Sequence, residues 1–136
     1  MRRLFLAVCA TQLVACAVPA EAPAASPGAP LAGTRWIGVT DPSLDRRAVP
    51  WVEFVREGRL TGFTGCNMLS GSWSEQGGTA RLAGIVTTKR MCLGPADEVE
   101  KRVLAAMSAE SRVSREGERL VFTAPGGARF EFTPAR

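Results

Sequence analysis

Turn signals interrupt the chain so often after Leu31 that almost every segment there is too short to be anything but a strand. Thr34-Arg35-Trp36-Ile37-Gly38-Val39 runs into the Asp41-Pro42 turn region, and residues 49–55 run through a Glu57-Gly58 turn into residues 59–64. Residues 71–74, around Trp73, lead through Gly77-Gly78 into residues 79–86. Near the C-terminus, residues 112–115, 120–123 and 129–133 are joined by the Glu116-Gly117 and Pro125-Gly126-Gly127 turns. Runs rich in β-branched and aromatic residues, bounded by glycine, proline and aspartate, are the signature of strands and hairpins. Val52, Phe54, Leu60 and Phe63 are expected to face inward. Trp36, Trp51 and Trp73 are expected in the core, because large aromatics dominate the interior of small domains, with the lining of a ligand cavity as the alternative.

One segment departs from this pattern. Gly94-Pro95-Ala96-Asp97-Glu98 opens a helix, with proline in its first turn and acidic side chains near the positive end of its dipole. Val99, Val103, Leu104 and Met107 then recur at helical spacing, and the helix should fade over residues 108–111. The expected class is α+β: a strongly curved antiparallel sheet or partial β-barrel of about eight short strands, with one amphipathic helix packed across its open side.

The first thirty residues belong to another kind of sequence. Arg2 and Arg3 precede an apolar run from Leu4 to Ala15 that is too short for a permanent membrane helix, which needs about twenty apolar residues. A charged start and an apolar middle describe a secretory signal. The run ends in Leu13-Val14-Ala15-Cys16, which resembles the lipobox of bacterial lipoprotein precursors. That resemblance implies removal of residues 1–15 and acylation of the Cys16 sulfur. The alternative is an ordinary signal cut near Ala20 or Ala24, giving a soluble periplasmic protein. Ala17 does not resemble the aspartate that retains lipoproteins at the inner membrane, so an outer-membrane lipoprotein facing the periplasm is expected. Several acyl chains, at about 0.8 kcal/mol per buried CH₂, would hold it there. Residues 16–30 are Cys16 and an Ala/Pro-rich tether that cannot build a core, and at roughly 3.1 Å per residue the fourteen residues 17–30 have an extended reach of about 40 Å.

Composition narrows the chemistry. Histidine and tyrosine are absent. This removes the commonest general base, the commonest metal ligand and every histidine-activated nucleophile. The formal charge of +4 falls once Arg2 and Arg3 leave with the signal, and the remaining charges are interspersed. No basic stripe of the kind a nucleic-acid reader needs is present. The expectation is a non-enzyme with no cofactor, no metal and no nucleic-acid partner.

Residues 31–136 retain two cysteines, Cys66 and Cys92. An exported chain meets an oxidising compartment, so one intramolecular disulfide is expected. Its loop length corresponds to roughly 3.5 kcal/mol on the chain-entropy model. A redox pair is the alternative, but the spacing is not CxxC and no histidine is available to activate a thiolate.

Several segments together carry a family resemblance. Gly33-Thr34-Arg35-Trp36, Gly62-Phe63-Thr64-Gly65-Cys66-Asn67 with Ser70-Gly71-Ser72-Trp73, and Thr87-Thr88-Lys89-Arg90-Met91-Cys92 resemble the META/HslJ domain. An acidic helix and Leu120-Val121-Phe122 follow in the family's order, so the likeness spans residues 31–136. One departure is local: Met91 directly precedes the cysteine, where the family's methionine usually comes one residue earlier. The resemblance implies a bacterial envelope domain of half-barrel type, associated with stress tolerance and with secretion or motility. It implies no enzymatic activity and no agreed ligand.

The remaining polar candidates form a short set. Asn67 reads first as a turn residue, with a polar contact in a binding site as the alternative. Thr87, Thr88, Lys89 and Arg90 read as a solvated loop, or as a surface for an anionic headgroup or an acidic partner. Asp97 and Glu98 are explained by helix-start electrostatics, and with Glu100 they lack the spacing of a Ca²⁺ loop. The functional expectation is a monomeric, non-catalytic binding or scaffold module held to the membrane through Cys16. Carriage of a small apolar or lipid-like ligand and inhibition of a secreted hydrolase are the alternatives.

Overall fold

The computed structural model describes residues 30–136. The expected signal, Cys16 and all of the expected tether except Pro30 lie outside the described residues. Eight strands follow one another: β1 (Thr34–Gly38), β2 (Trp51–Val55), β3 (Arg59–Phe63), β4 (Met68–Gln76), β5 (Thr79–Thr87), β6 (Arg112–Glu116), β7 (Arg119–Thr123) and β8 (Arg129–Pro134). Among the described residues there is one α-helix, α1 (Pro95–Ala106), between β5 and β6. The strands pair in chain order, all antiparallel, and the sheet closes on itself through β1 and β8. Closure goes beyond the partial barrel expected from sequence. It follows from Ile37 and Gly38 lying opposite Thr133 and Phe132, which removes both sheet edges.

Alternation decides which side chains enter the barrel. Val52 and Phe54 point inward on β2, and Leu60 does so on β3. Phe63 is only half-buried, because Leu60 and Gly62 occupy the inward positions of its strand. Trp51 likewise falls on the outer face, where the Arg35 guanidinium stacks 3.8 Å from its ring centroid. Of the other two tryptophans, Trp36 is buried as expected, and Trp73 is half-buried, packing edge-on against Phe54 with centroids 5.2 Å apart. Phe54, Phe122, Phe130 and Phe132 form a chain of ring contacts through the interior, joined by Leu60, Leu82 and Leu120. An eight-stranded barrel is just wide enough for such side chains to fill it.

Local chemistry sets the connections. Glu57 and Gly58 both adopt positive φ, 67° and 75°, forming the twisted turn that suits a tight hairpin. At Gly62 a Cβ would come within 2.6 Å of the Trp51 carbonyl, so glycine allows β2 and β3 to approach closely there. β4 is longer than residues 71–74, and its pairing with β5 slips between Ser70 and Ser72. Such an irregularity bends a strand and assists curvature.

The β1–β2, β3–β4 and β7–β8 connections all lie at one end of the barrel, and α1 covers that mouth. Val99, Val103 and Ala106 are its buried residues, the Met107 that caps it is buried too, and Arg102 lies over the Phe130 ring at 5.5 Å. Leu31, just ahead of β1, enters the core from the opposite end. β5 and β6 share register for only two residue pairs, Ala80↔Val113 and Arg81↔Arg112. Beyond them β5 runs on to Thr87, and its outer half faces the end of α1 across a hollow.

Candidate functional site

The capped mouth gathers most of the residues singled out in the sequence. Gly65 begins the β3–β4 turn with φ of 106°, and a Cβ there would meet the Ala48 carbonyl at 2.9 Å and Val99 at 3.1 Å. Glycine therefore allows the turn to lie directly under α1. The next residue, Cys66, is bonded to Cys92 with a Cα separation of 6.0 Å. This disulfide ties the β3–β4 turn to the segment leading into the helix.

Asn67 organises the rest. It is 5% exposed, and its conformation is not left-handed. Its Oδ1 accepts from the Arg90 backbone N–H at 2.7 Å and from the Thr88 hydroxyl at 2.8 Å. Its Nδ2 donates to the Arg90 carbonyl at 2.9 Å and to the Glu100 carboxylate at 3.0 and 3.2 Å. The buried Thr64 hydroxyl donates to Glu100 at 2.6 Å and accepts from the Asn67 backbone N–H at 2.9 Å. Thr88 continues the network by accepting from the Met68 N–H, and the Arg90 guanidinium donates to the Cys66 carbonyl at 3.0 Å. One asparagine thus joins three pieces of chain: the β3–β4 turn, the 88–90 segment and α1. Among the described residues no buried side-chain nitrogen or oxygen lacks a partner, as a polar network in a core requires.

The structure therefore divides the predicted surface. Asn67, Thr88 and Arg90 spend their polar groups holding the mouth together. Thr87 and Lys89 instead line a hollow of about 480 Å³ between the outer half of β5 and the end of α1, with Ile85, Val86 and Leu104. On the other side of the helix a second hollow, of about 340 Å³, has Leu44, Ala48, Leu93, Pro95, Ala96 and Val99 as its apolar lining. Asp41, Asp45, Glu98 and Arg102 rim it. Between the two hollows the 88–93 segment raises Met91 and Leu93, which are 88% and 85% exposed. Val86, at 61%, continues this apolar lip along β5.

Sequence reasoning had not connected Thr64 or Glu100 to Asn67, nor given Met91 and Leu93 a surface role. A signal for Glu100 was present. It shares the helical spacing of Val103, Leu104 and Met107, so a carboxylate lies on the apolar stripe and needs partners. No comparable signal marks Met91 and Leu93, since apolar residues flanking a cysteine read as core.

Chemically, this mouth holds a disulfide, a satisfied polar joint and two hollows lined by both apolar and polar side chains. It offers shape and apolar area for recognition.

Comparison with known proteins agrees with this architecture. A solved NMR structure of a protein from Burkholderia xenovorans superposes with a TM-score of 0.60 at 19% identity, covering 85% of this chain and 97% of that one. A second NMR structure gives 0.59 at 17% identity, covering 74% and 88%. At these identities the likeness concerns the fold alone. A search of curated proteins returns no match. The META domain model matches residues 29–136, and the chain belongs to the META domain family.

Proposed function

We propose that the protein is a non-catalytic recognition module of the bacterial envelope, tethered through Cys16, that binds a protein partner with the apolar lip of its capped mouth. The observation that carries this reading is the exposure of Met91 and Leu93 on either side of Cys92. Large apolar side chains held in water by a cross-linked segment have no value to the fold, and they are preorganised for an interface. The adjacent hollows, each partly lined by apolar side chains, supply the complementary relief. The membrane address rests on the lipobox resemblance, and Cys16→Ser tests it: release to the soluble fraction supports the anchor, and retention in the membrane counts against it.

A photo-crosslinking residue placed at position 91 or 93 in the cell tests the recognition surface, with position 118, in the turn at the far end of the barrel, as the control. Discrete adducts at 91 and 93 but not at 118 are expected. Equal labelling at all three positions, or none, would remove the basis for the reading. Inhibition of a secreted hydrolase is a special case of the same geometry, and the crosslinked partner would identify it. Carriage of a small apolar ligand has less support, because phenylalanines fill the barrel interior. Native mass spectrometry after exposure to envelope extract, with an added mass of a few hundred daltons, would revive it.

A further inference from the structure

The barrel wall away from the mouth contains a charge arrangement that strand pairing does not explain. Arg81 on β5 and Arg112 on β6 are direct register partners, and both are exposed. Partners in an antiparallel ladder have Cα atoms only about 4.5–5.5 Å apart, and like charges placed so are destabilising. The pair also falls in the shortest register of the barrel, two residue pairs long. Elsewhere the same wall avoids the problem. Arg119 on β7 pairs with Glu131 on β8, and one Arg129 nitrogen donates to both carboxylate oxygens of Glu116 at 2.9 and 3.1 Å. Among the described residues no carboxylate lies within ion-pair distance of Arg81 or Arg112. Glu110 shares an adjoining hollow with both arginines and pairs with neither.

What surrounds the two guanidinium groups is suited to oxygen acceptors. Register places Ser74 beside Arg81 and Thr123 beside Arg112, so hydroxyl groups flank the pair on both sides. A hollow of about 430 Å³ opens next to it, lined by Ser74, Gln76, Thr79, Arg81 and Arg112. Every one of these five side chains can donate a hydrogen bond.

We propose that Arg81 and Arg112 form a binding site for a phosphate-type oxyanion, with Ser74, Gln76 and Thr79 as additional donors. Two arginine forks match the tetrahedral oxygens of phosphate with charge-assisted, often bidentate bonds. A doubly charged anion between them neutralises both side chains and turns the repulsion across β5 and β6 into a bridge. The site is independent of the apolar lip, since it lies on the wall and not at the mouth.

The test uses the full-length chain carrying Cys16→Ser, so that no lipid anchor contributes. Inorganic phosphate is titrated at constant ionic strength while the arginine Nε–H signals are followed by NMR. Saturable shifts at Arg81 and Arg112, with Arg119 and Arg129 unmoved, are expected. Arg81→Gln and Arg112→Gln should each weaken binding roughly ten-fold or more. Without phosphate both variants should melt no lower than the parent, which separates lost binding from lost folding. Shifts that never saturate, that spread equally over all four arginines, or that survive either substitution overturn the proposal. Vesicles of phosphatidylglycerol, against phosphatidylcholine, then separate the sources of the anion. Sedimentation that depends on both arginines assigns the site to a lipid headgroup. Phosphate binding without sedimentation assigns it to a soluble phosphorylated compound.

Discussion

Replacing Asn67 by alanine separates a joint of the fold from a ligand contact. The substitution removes two acceptor contacts at Oδ1, from Arg90 and Thr88, and the donor contacts from Nδ2 to Arg90 and Glu100. A typical intramolecular hydrogen bond is worth about 1 kcal/mol net, so the four partnerships set an upper estimate of about 4 kcal/mol. Thr88 and Arg90 are exposed and can turn to water, whereas Glu100 is half-buried and keeps only Thr64. The expected loss is therefore about 3 kcal/mol, a large share of the 5–15 kcal/mol available to a small domain. With a urea slope near 1.5 kcal/mol/M, the unfolding midpoint should fall by about 2 M. Combining Asn67→Ala with Glu100→Ala should give a loss at least about 1 kcal/mol smaller than the sum of the two single losses, because the second change removes the carboxylate that the first left short of a partner. A loss under about 0.5 kcal/mol for Asn67→Ala, typical of a surface substitution, would refute the reasoning. So would strict additivity with Glu100→Ala.

Three further outcomes are expected. Cys66→Ser with Cys92→Ser should cost about 3.5 kcal/mol on the chain-entropy model, and reductant should have no further effect on the urea curve of that variant. Glu57→Asn should raise stability by about 0.5–1 kcal/mol, because asparagine before glycine accepts the positive φ of this turn more readily; a lower thermal midpoint would contradict the turn assignment. The Asp41 carboxyl lies below the ordinary aspartate range because the Ser43 hydroxyl, and then the Ser43 backbone N–H, donate to it. Its contribution is thus present above the unfolded pKa and is lost as pH falls through the lowered folded value. Ser43→Ala should move the carboxyl's NMR titration midpoint upward, and an unchanged midpoint would show that the hydroxyl plays no part.

The strand content was legible because β-rich sequences of this kind announce their turns. Glu57-Gly58, Gly77-Gly78 and Glu116-Gly117 each mark a hairpin that the structure contains. Closure was not legible, since nothing in Trp36-Ile37-Gly38 signals pairing with Phe132-Thr133-Pro134 almost a whole domain away. The same limit explains Phe63 and Trp51. Both are large and aromatic, and only the strand register determines that they fall on the outer face. At the mouth, Cys66, Cys92 and Asn67 stood out by residue type, but the role of Asn67 depends on Glu100, thirty-three residues further on. A turn residue and a three-way joint look alike until the helix is in place.

The pairing of β1 with β8 also bears on how the chain assembles. Every other seam joins consecutive strands, most across tight turns, and each such hairpin can zip up from its own turn while the chain is still partly unstructured. The last seam must wait for Phe132, Thr133 and Pro134, because these residues face Gly38, Ile37 and Trp36. Bringing such distant ends together is the step that low-entropy local contacts cannot shortcut. Until then two strand edges stand open, each able to pair with the wrong neighbour. A nascent or truncated chain that lacks its final few residues would therefore be expected to form a ribbon with two adhesive margins, prone to joining other copies edge to edge.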